Sequence, residues 1–316
     1  MTDLIQCVRS VFESSYTNLE VIVVDNASTD DSLATLERAY SGNSRLKIVR
    51  NLVNLGFAAG NNIGVAHARG ELVAFLNQDA RLERSCVERA VQFMLGNLEI
   101  AALQPRILSL DDPRLIDSAG VVLSPIGVSV VIGHGQADGL QYQQKRFITS
   151  GLAAALFVRS RLFRMLGGFD EDFFVLAEDG DFCWRVWLSG NKVVYYPKAL
   201  AFHRGGSSRR KETDYFNYYY SIRNNFTMLL KNLSAPLTLP CVGTSICYHF
   251  TRGLILRYQI AYFRALGAAI RWQITNRKAV WRKRENVQSL RKVSDALLIS
   301  QRVLEVVNPD LILRAM

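Results

Sequence analysis

A chain of 316 residues is long enough to bury the core of one large domain with an appendage, or of two small domains. Its composition, 49% hydrophobic and 21% charged residues, is that of a folded protein and excludes a disordered chain. The opening residues lack a basic head and a long apolar stretch, so no signal peptide is predicted. Five scattered cysteines show neither zinc-site nor disulfide spacing, which favours a reducing cytosol.

The formal net charge of +10 is concentrated towards the end of the chain. Between Arg252 and Lys292 the sequence holds eleven basic residues against one acid, Glu285. Such an excess favours an anionic partner, either a nucleic acid or a membrane surface. A nucleic-acid-binding module would interleave these residues with base-stacking aromatics. They lie instead beside an uncharged segment, 232–251, which favours a membrane and predicts no nucleic-acid partner.

The first two thirds of the chain alternate short β-branched runs with helical stretches, which is typical of an α/β domain. Predicted strands cover 20–25, 46–50, 72–76, 153–158 and 192–196. Predicted helices cover 4–14, 33–40, 61–68 and 86–95. The chain opens in a helix, whereas a parallel sheet normally places a strand ahead of each crossover helix. We therefore expect the first strand of the sheet to be missing from this sequence, or the sheet to start unusually.

After about residue 204 the sequence becomes helical in character. Residues 215–230 are predicted to form an aromatic-rich helical connector. The uncharged segment 232–251 approaches the roughly 20 residues that span a bilayer. Because Pro236, Pro240 and Gly243 interrupt it, a re-entrant or surface-lying segment is expected rather than a spanning helix.

Basic residues at seven-residue steps then predict a stripe along one helix face, formed by Arg257, Arg264, Arg271 and Lys278. Apolar and aromatic residues fill other positions of the same stretch. A basic amphipathic helix of this kind suits an anionic membrane surface. The alternative is a solvated basic face packed on the rest of the protein.

Polar residues follow several predicted strand ends, where open α/β sheets bind ligands. The carboxylate of Asp25, with Asn26 beside it, can accept hydrogen bonds from a planar imide or a ribose, although the same residue types also form ordinary turns. A run rich in glycine and asparagine comes next and includes Asn54, Gly56 and Asn61. Glycine lets the backbone approach a ligand closely, and asparagine supplies amide donors and acceptors.

Asn77 and Asp79 follow the predicted strand 72–76. A hard divalent cation that bridges phosphate oxygens takes one or two such carboxylates together with waters, so Asp79 is a candidate metal ligand. The alternative is a turn in which Asp79 caps the helix 86–95.

Three acids within four residues, Glu178, Asp179 and Asp181, interrupt an apolar and aromatic stretch. Crowded carboxylates near apolar groups raise one another's pKa, which tunes a base towards neutral pH. An acidic helix N-terminus is the alternative. His203 follows the strand predicted at 192–196 and is the fourth candidate, whereas His67, His134 and His249 are interpreted as structural.

Taken in order, these segments resemble the family 2 inverting glycosyltransferases with the GT-A fold, especially their rhamnosyltransferase-like branch. The resemblance covers roughly residues 1–208. It implies an α/β fold with a Rossmann-like, mostly parallel central sheet and flanking helices. The remaining residues, 209–316, form a helical, basic C-terminal region that we expect to be membrane-associated.

The resemblance also implies roles for individual residues. Asp25 corresponds to the acid that contacts the nucleotide base, and Asn54, Gly56 and Asn61 correspond to the nucleotide-binding loop. Asp179 corresponds to the catalytic base. Asp79 corresponds to the last acid of the metal-binding Asp-x-Asp motif, and His203 to a histidine that joins the metal or diphosphate, with Mg²⁺ or Mn²⁺ as the cofactor. Further expected substrate contacts come from Asn26, Asn77, Glu178, Trp184 and Arg185.

The expected function is transfer of a sugar, with rhamnose as one candidate, from a UDP- or dTDP-linked donor to a hydroxyl of a cell-envelope glycan or a lipid-linked acceptor. The expected location is cytoplasmic and peripheral, at the inner face of the cell membrane. Two departures from the family weaken the expectation: the first strand is absent, and Asn77 stands where the first acid of Asp-x-Asp would be. A catalytically impaired relative that binds sugar nucleotides or glycans is therefore the alternative, whereas a nucleotidyltransferase would need a basic loop near the first strand.

Overall fold

A computed structural model describes residues 3–205, 213–255 and 260–305 of the protein. The described strands are β1 (Val21–Asp25), β2 (Leu46–Arg50), β3 (Leu72–Leu76), β4 (Ala80–Leu82), β5 (Ile100–Ser109), β6 (Ile116–Ser118), β7 (Val121–Leu123), β8 (Ser129–Val131), β9 (Arg146–Phe147), β10 (Ala155–Arg159) and β11 (Lys192–His203). The described α-helices are α1 (Asp3–Phe12), α2 (Ser32–Ala39), α3 (Gly56–His67), α4 (Cys86–Leu95), α5 (Ser160–Met165), α6 (Glu178–Leu188), α7 (Asp214–Asn232), α8 (Ala235–Ile255), α9 (Ile260–Thr275), α10 (Arg277–Ser289) and α11 (Asp295–Ser300). Up to β5 the helices and strands largely alternate, as the sequence predicts, whereas β5 to β10 follow one another with no α-helix between them.

The main sheet has the strand order β3-β10-β5-β11-β4, with β6 paired to β5 and β9 to β11. Strands β5 and β11 are parallel, and β10 is antiparallel to both of its neighbours, so β3, β5 and β11 run in one direction. Strands β1 and β2 form a separate parallel pair. Because β3, β5 and β11 share a direction, their carboxyl ends lie at one edge of the sheet. This α/β arrangement with flanking helices agrees with the predicted fold class.

Strand β11 extends seven residues beyond the predicted end at 196, so that His203 is its last residue rather than part of a following loop. The pairing of β11 with β5 shifts register between Tyr196 and Leu200, around Pro197. Proline lacks the N–H that a ladder requires and is tolerated at such irregularities. The strand resumes after the shift and carries His203 to the edge of the sheet.

Helices of the C-terminal region pack directly on the α/β part. The largest hydrophobic cluster joins Phe182 and Trp184 of α6 to Met228 of α7 and Val287 of α10. Helix α7 also packs along α9. The two parts of the chain therefore share one core, whereas the division at residue 208 stays a prediction.

The basic stripe predicted after residue 252 is wrong in one respect. Helix α9 ends at Thr275 and α10 begins at Arg277, so Arg264 and Arg271 lie on one helix and Lys278 on the next. Arg257 lies outside the described residues. In the described part of the chain, no helix is both long enough and apolar enough to cross a membrane.

Candidate functional site

The end of β1 is tied to the start of α3 through Asn26. The Nδ2 atom of Asn26 donates to the carbonyl oxygen of Gly56 at 2.9 Å, and its Oδ1 accepts from the amide of Asn51 at 2.7 Å. The carboxylate of Asp25 accepts a hydrogen bond from the N–H of Ser28 at 3.0 Å. The strand end and the glycine- and asparagine-rich loop therefore form one polar surface.

Gly56 opens α3 in a conformation that favours glycine. Its φ is +84°, and a Cβ atom there would lie 2.5 Å from the carbonyl oxygen of Phe174. Asn54 accepts from the N–H of Gly56 at 2.9 Å, and Asn61 donates to the carbonyl of Phe57 at 2.9 Å. These hydrogen bonds shape the loop that the sequence assigns to the nucleotide.

His203 lies between two carboxylates. Its Nε2 is 3.3 Å from an oxygen of Asp79, and its Nδ1 is 2.9 Å from an oxygen of Asp117. The Nδ2 atom of Asn77 is 3.3 Å from the same Nε2, and the backbone N–H of Arg204 donates to the carbonyl of Asp79 at 3.1 Å. His203, which lies 126 positions after Asn77, thus meets Asn77 and Asp79 at one point.

The electrostatics of this group favour a charged imidazole. Burial alone would lower the pKa of His203, but the hydrogen bonds to Asp117 and Asp79 outweigh it and raise that pKa to about 9. Asp79 is 5% exposed and does not cap the following helix, because β4 begins at Ala80 and the N-cap of α4 is Ser85. The alternative role of Asp79 as a cap is therefore excluded.

Asp179 is connected to this group through the segment before β10. One carboxylate oxygen of Asp179 accepts from the N–H of Ala153 at 3.0 Å. The carbonyl of the next residue, Ala154, accepts from the N–H of Asn77 at 3.1 Å. Ala153 is thus hydrogen-bonded to Asp179, and the next residue, Ala154, is hydrogen-bonded to the turn 77–79. That these residues form one functional site stays a prediction.

The acid cluster lies in the first turn of α6, as the alternative interpretation, an acidic helix N-terminus, predicts. Glu178 and Asp181 are buried, and Asp179 is half-buried. Asp181 accepts from Arg185 at 2.9 Å, from the amide of Asn232 at 3.1 Å and from Lys231. Asp181 is therefore a structural acid at the centre of a buried ionic network.

Trp184 and Arg185 do not face an open surface, contrary to the expectation that they contact the substrate. The side chain of Trp184 is 0% exposed and lies in the hydrophobic core. Besides its ion pair with Asp181, Arg185 donates to the backbone carbonyls of Leu166 and Gly168 at 2.6 and 2.8 Å. The packing assigns both residues to bracing α6, Arg185 through its hydrogen bonds and Trp184 through its apolar ring, although Nε1 of Trp184 has no hydrogen-bond partner.

Asp79 and His203 are suited to a divalent cation that also binds diphosphate. A carboxylate oxygen and an imidazole nitrogen face each other. If a metal displaces the proton on Nε2, Asp117 on the far side of the ring can keep the proton on Nδ1 and so leave Nε2 to the ion. Within the described residues, no group of three or more His, Cys, Asp or Glu side chains forms a complete metal centre. Two protein ligands leave the other positions to phosphate oxygens and water, as Mg²⁺ prefers.

Asp117, on the short strand β6, was not predicted from the sequence. It lies 86 positions before His203 and follows no motif, so only the pairing of β6 with β5 brings it to the site.

An open hollow of about 350 Å³ lies elsewhere, lined by Glu83, Arg89, Arg106, Gln143, Pro197, Lys198 and Leu200. None of the predicted site residues lines that hollow, so a cleft sized for a sugar diphosphate stays a prediction.

Comparison with known proteins shows which family and which folds this chain resembles. Residues 2–153 match the model of the family described as Glycosyl transferase family 2. The pre-mycofactocin glycosyltransferase of Mycobacterium tuberculosis is 29% identical over 198 residues, which cover 60% of this chain and 38% of that protein. The chain spans only 24% to 38% of the length of such curated relatives.

Solved structures show the same GT-A-like fold. TarS 1-349 of S. aureus in complex with UDP-GlcNAc matches with a TM-score of 0.56 and 18% identity, covering 90% of this chain and 85% of that one. GalNAc-T7 with UDP, GalNAc and Mn²⁺ matches with a TM-score of 0.57 and 15% identity, covering 72% of this chain and 45% of that one. At this level of identity the likeness establishes the fold alone.

Proposed function

We propose that the protein is an inverting glycosyltransferase, which moves one sugar from a nucleoside diphosphate to a hydroxyl of a cell-envelope glycan or a lipid-linked acceptor. The observation that carries the proposal is the connection of Asp179, through Ala153 and Ala154, to the turn that holds Asn77 and Asp79. The proposed base, Asp179, and the turn that carries Asn77 and Asp79 are thereby hydrogen-bonded to two neighbouring backbone residues, Ala153 and Ala154. The family 2 match of residues 2–153 supports the same class of reaction.

In the proposed reaction Asp179 is the general base. It takes the proton from the acceptor hydroxyl as that oxygen attacks the anomeric carbon of the donor. The bond from this carbon to the diphosphate oxygen breaks in the same displacement, and the nucleoside diphosphate leaves with the electron pair. Attack from the face opposite the leaving group inverts the anomeric configuration.

Donor binding is assigned to the surface formed by the ends of β1 and β3 and the start of α3. Asp25 and Asn26 would contact the base and ribose, while Asn54, Gly56 and Asn61 would bind the rest of the nucleotide. Asp79 and His203, with Asn77 beside them, would hold the divalent ion, which neutralises charge on the leaving diphosphate when bound. Glu178 adds negative charge next to the base.

The donor is proposed to be a UDP- or dTDP-linked sugar, with rhamnose as one candidate. The solved structures with this fold include complexes with UDP and UDP-GlcNAc, which supports a nucleotide-sugar donor without fixing the sugar.

Turnover and donor binding together test the proposal. Purified protein with a panel of UDP- and dTDP-sugars and Mn²⁺ or Mg²⁺ should release nucleoside diphosphate, and the anomeric configuration of the product should be inverted. Asp179→Asn should lower kcat by roughly 10²- to 10⁴-fold while the Kd of the donor stays nearly unchanged. Glu171→Gln, which changes an exposed acid on the turn before α6, is the control. Donor binding without turnover in the wild type would indicate a binding subunit instead.

We further propose that α8, α9 and α10 bind an anionic membrane surface, which would make the protein peripheral at the inner face of the cell membrane. Every exposed residue of α8 is uncharged, and Leu239 and Ile255 are 80% and 60% exposed. Exposed basic residues follow on α9 and α10, interspersed with exposed Ile274 and Trp281. An apolar face next to cationic groups suits the boundary between acyl chains and anionic headgroups.

Flotation with vesicles tests the membrane proposal. The protein should float with vesicles that contain phosphatidylglycerol, less so at high salt, and not with phosphatidylcholine alone. Leu239→Asp with Ile255→Asp should weaken flotation, whereas Leu98→Asp, at a position 75% exposed outside these helices, should not. Equal flotation of both variants would refute the assignment of this face.

A further inference from the structure

The turn that leads into α6 has an unusual backbone. Phe174, Leu176 and Ala177 have φ values of 60°, 72° and 68°, in the left-handed region that favours glycine, although none of them is glycine. Each such residue costs about 1–3 kcal/mol and persists only where surrounding contacts hold it. Because Asp179 follows two residues after this turn, whatever holds the turn also sets the direction of the proposed base.

A buried asparagine of α7 holds the turn. The side chain of Asn224 is 0% exposed, and its Nδ2 lies 3.0 Å from the carbonyl oxygen of Phe173, 2.8 Å from that of Val175 and 2.7 Å from that of Leu176. These carbonyls point into the protein, where an unsatisfied acceptor is costly. One amide group from the C-terminal region thus lies within hydrogen-bonding distance of three of the four carbonyls of the segment 173–176.

Arg223 keeps Asn224 in this orientation. The Oδ1 atom of Asn224 accepts from Nε and Nη2 of Arg223 at 2.9 and 2.7 Å. Since Oδ1 is the acceptor of the amide, these bonds fix which end of the group faces the turn. The guanidinium also donates to the carbonyl of Phe173 at 3.1 Å and lies over the rings of Tyr220 and Trp272.

The turn joins both halves of the proposed site. At one end, the carbonyl of Phe174 accepts from the N–H groups of Phe57 and Ala58 at 2.6 and 3.3 Å, at the start of the nucleotide loop helix. At the other end, Ala177 is the N-cap of α6, and its carbonyl accepts from the N–H of Asp181 at 2.9 Å. A shift of the turn would therefore move Asp179 relative to the loop that contains Gly56.

We propose that Asn224 is a positioning residue for Asp179, acting through the carbonyls of the turn 173–176. The C-terminal helical region is then part of the active site, not only an attachment to it. This inference rests on the proposed function for its catalytic consequence, whereas the anchoring of the turn can be measured independently of any reaction.

Two variants of Asn224 test the inference. Asn224→Ala removes the amide, and Asn224→Asp keeps its shape but presents an oxygen to the three carbonyls. In both, kcat should fall about 10- to 100-fold, because a small misplacement of a reacting group has that effect, while the KM of the donor changes by less than about threefold. Asn225→Ala is the matched control, since Asn225 is the next residue on α7, is half-buried and faces the turn at Gly127.

Hydrogen exchange gives the readout that is independent of activity. The amides of 174–181 should exchange at least about tenfold faster in Asn224→Ala than in Asn225→Ala, with exchange elsewhere in the chain unchanged. Unchanged exchange in this segment, faster exchange throughout the chain, or equal kcat in Asn224→Ala and Asn225→Ala would overturn the inference. If the wild type shows no turnover with any donor, the proposed function fails, and the exchange data alone then decide whether Asn224 anchors the turn.

Discussion

The Nδ1 atom of His203 lies 2.9 Å from a carboxylate oxygen of Asp117, while Nε2 of the same ring faces Asp79 at 3.3 Å. The carboxylate of Asp117 therefore holds the imidazole at Nδ1, on the side of the ring away from Nε2, the atom proposed to bind the metal. A carboxylate behind a histidine orients the ring and raises its basicity as a ligand. Asp117 accordingly has a defined role in any metal binding by His203.

Replacing Asp117 should weaken metal binding without removing a ligand. For Asp117→Asn we expect the Kd for Mn²⁺ in the presence of nucleoside diphosphate to rise by roughly 10- to 100-fold, because the ring loses its orienting charge. Mn²⁺ binding can be followed by the loss of the free-ion resonance signal. Asp112→Asn is the control, since Asp112 is a nearby acid paired with Arg114 on the surface. Equal affinities in the two variants would contradict the role of Asp117.

A methyl group at Gly56 should disrupt the contact between the nucleotide loop and the turn before α6. Gly56→Ala places a Cβ atom 2.5 Å from the Phe174 carbonyl oxygen, in addition to the strain of its positive φ. Gly42→Ala has similar strain, with a φ of +76°, but nothing within 4 Å of the new atom. We expect Gly42→Ala to cost about 1 kcal/mol of unfolding free energy and Gly56→Ala about 1–3 kcal/mol more.

Urea unfolding and donor titration measure both effects of the Gly56 change. Donor affinity should fall in Gly56→Ala and stay at the wild-type value in Gly42→Ala. The same loss of stability in both would mean that the backbone strain, and not the contact with Phe174, accounts for the requirement for glycine.

Much of the fold follows from local sequence patterns. The strands 46–50 and 72–76 were predicted with their observed bounds, because the first contains β-branched Ile48 and Val49 and the second is an apolar run between polar residues. Helix α3 begins at Gly56, five residues before the predicted start at 61. Glycine and asparagine do not favour a helix locally, and the first turn is stabilised instead by hydrogen bonds to the carbonyl of Phe174. Short strands such as β6 carry no local signal, since they depend on pairing with β5.

The candidate site was predictable only where a motif marks it. Asp79, Asp179 and His203 stand at strand and helix ends, and the structure connects them. Asp117 contacts His203, 86 positions away, and Asn224 contacts the turn at Phe173, about 50 positions away. No sequence motif predicts contacts over such separations. The prediction that Arg185 contacts the substrate was wrong because its partners include the backbone carbonyls of Leu166 and Gly168. Backbone acceptors of this kind cannot be recognised from the sequence.

The ionic network beneath α6 should be essential for stability. Burial by itself would raise the pKa of Asp170, but Lys231 and Lys283 outweigh it and hold that pKa well below its usual range. Lys231 is 2% exposed and also contacts Asp181. Lys231→Met leaves buried acids without this partner, and we expect a loss of about 3–5 kcal/mol of unfolding free energy.

Urea unfolding also tests the network. Glu13→Gln, which breaks an exposed pair with Arg9, should leave stability unchanged within error and is the control. A loss below about 1 kcal/mol for Lys231→Met would show that the network is replaceable by apolar packing, as happens for some buried ion pairs.

His249 should make the C-terminal helices sensitive to acid. Burial, helped by Arg252, lowers the pKa of His249 from 6.5 to about 4, and its Nδ1 lies 2.7 Å from the hydroxyl of Tyr262. Between these two pH values the unfolded chain binds a proton that the folded chain does not. The contribution of His249 to stability must therefore fall as the pH drops from about 6.5 towards 4, and by pH 5.5 the loss from this residue amounts to about 1.4 kcal/mol.

Comparison of unfolding free energies at pH 7.5 and 5.5 isolates this contribution. His249→Gln does not titrate and can keep a hydrogen bond to Tyr262, so its stability should fall by about 1.4 kcal/mol less than that of the wild type over this interval. His67→Gln, which removes an exposed histidine, should keep the wild-type difference. If His249→Gln loses as much stability as the wild type, the pKa of His249 is not lowered in the folded protein, and the packing of α8 against Tyr262 of α9 would have to accommodate the charged ring at pH 5.5.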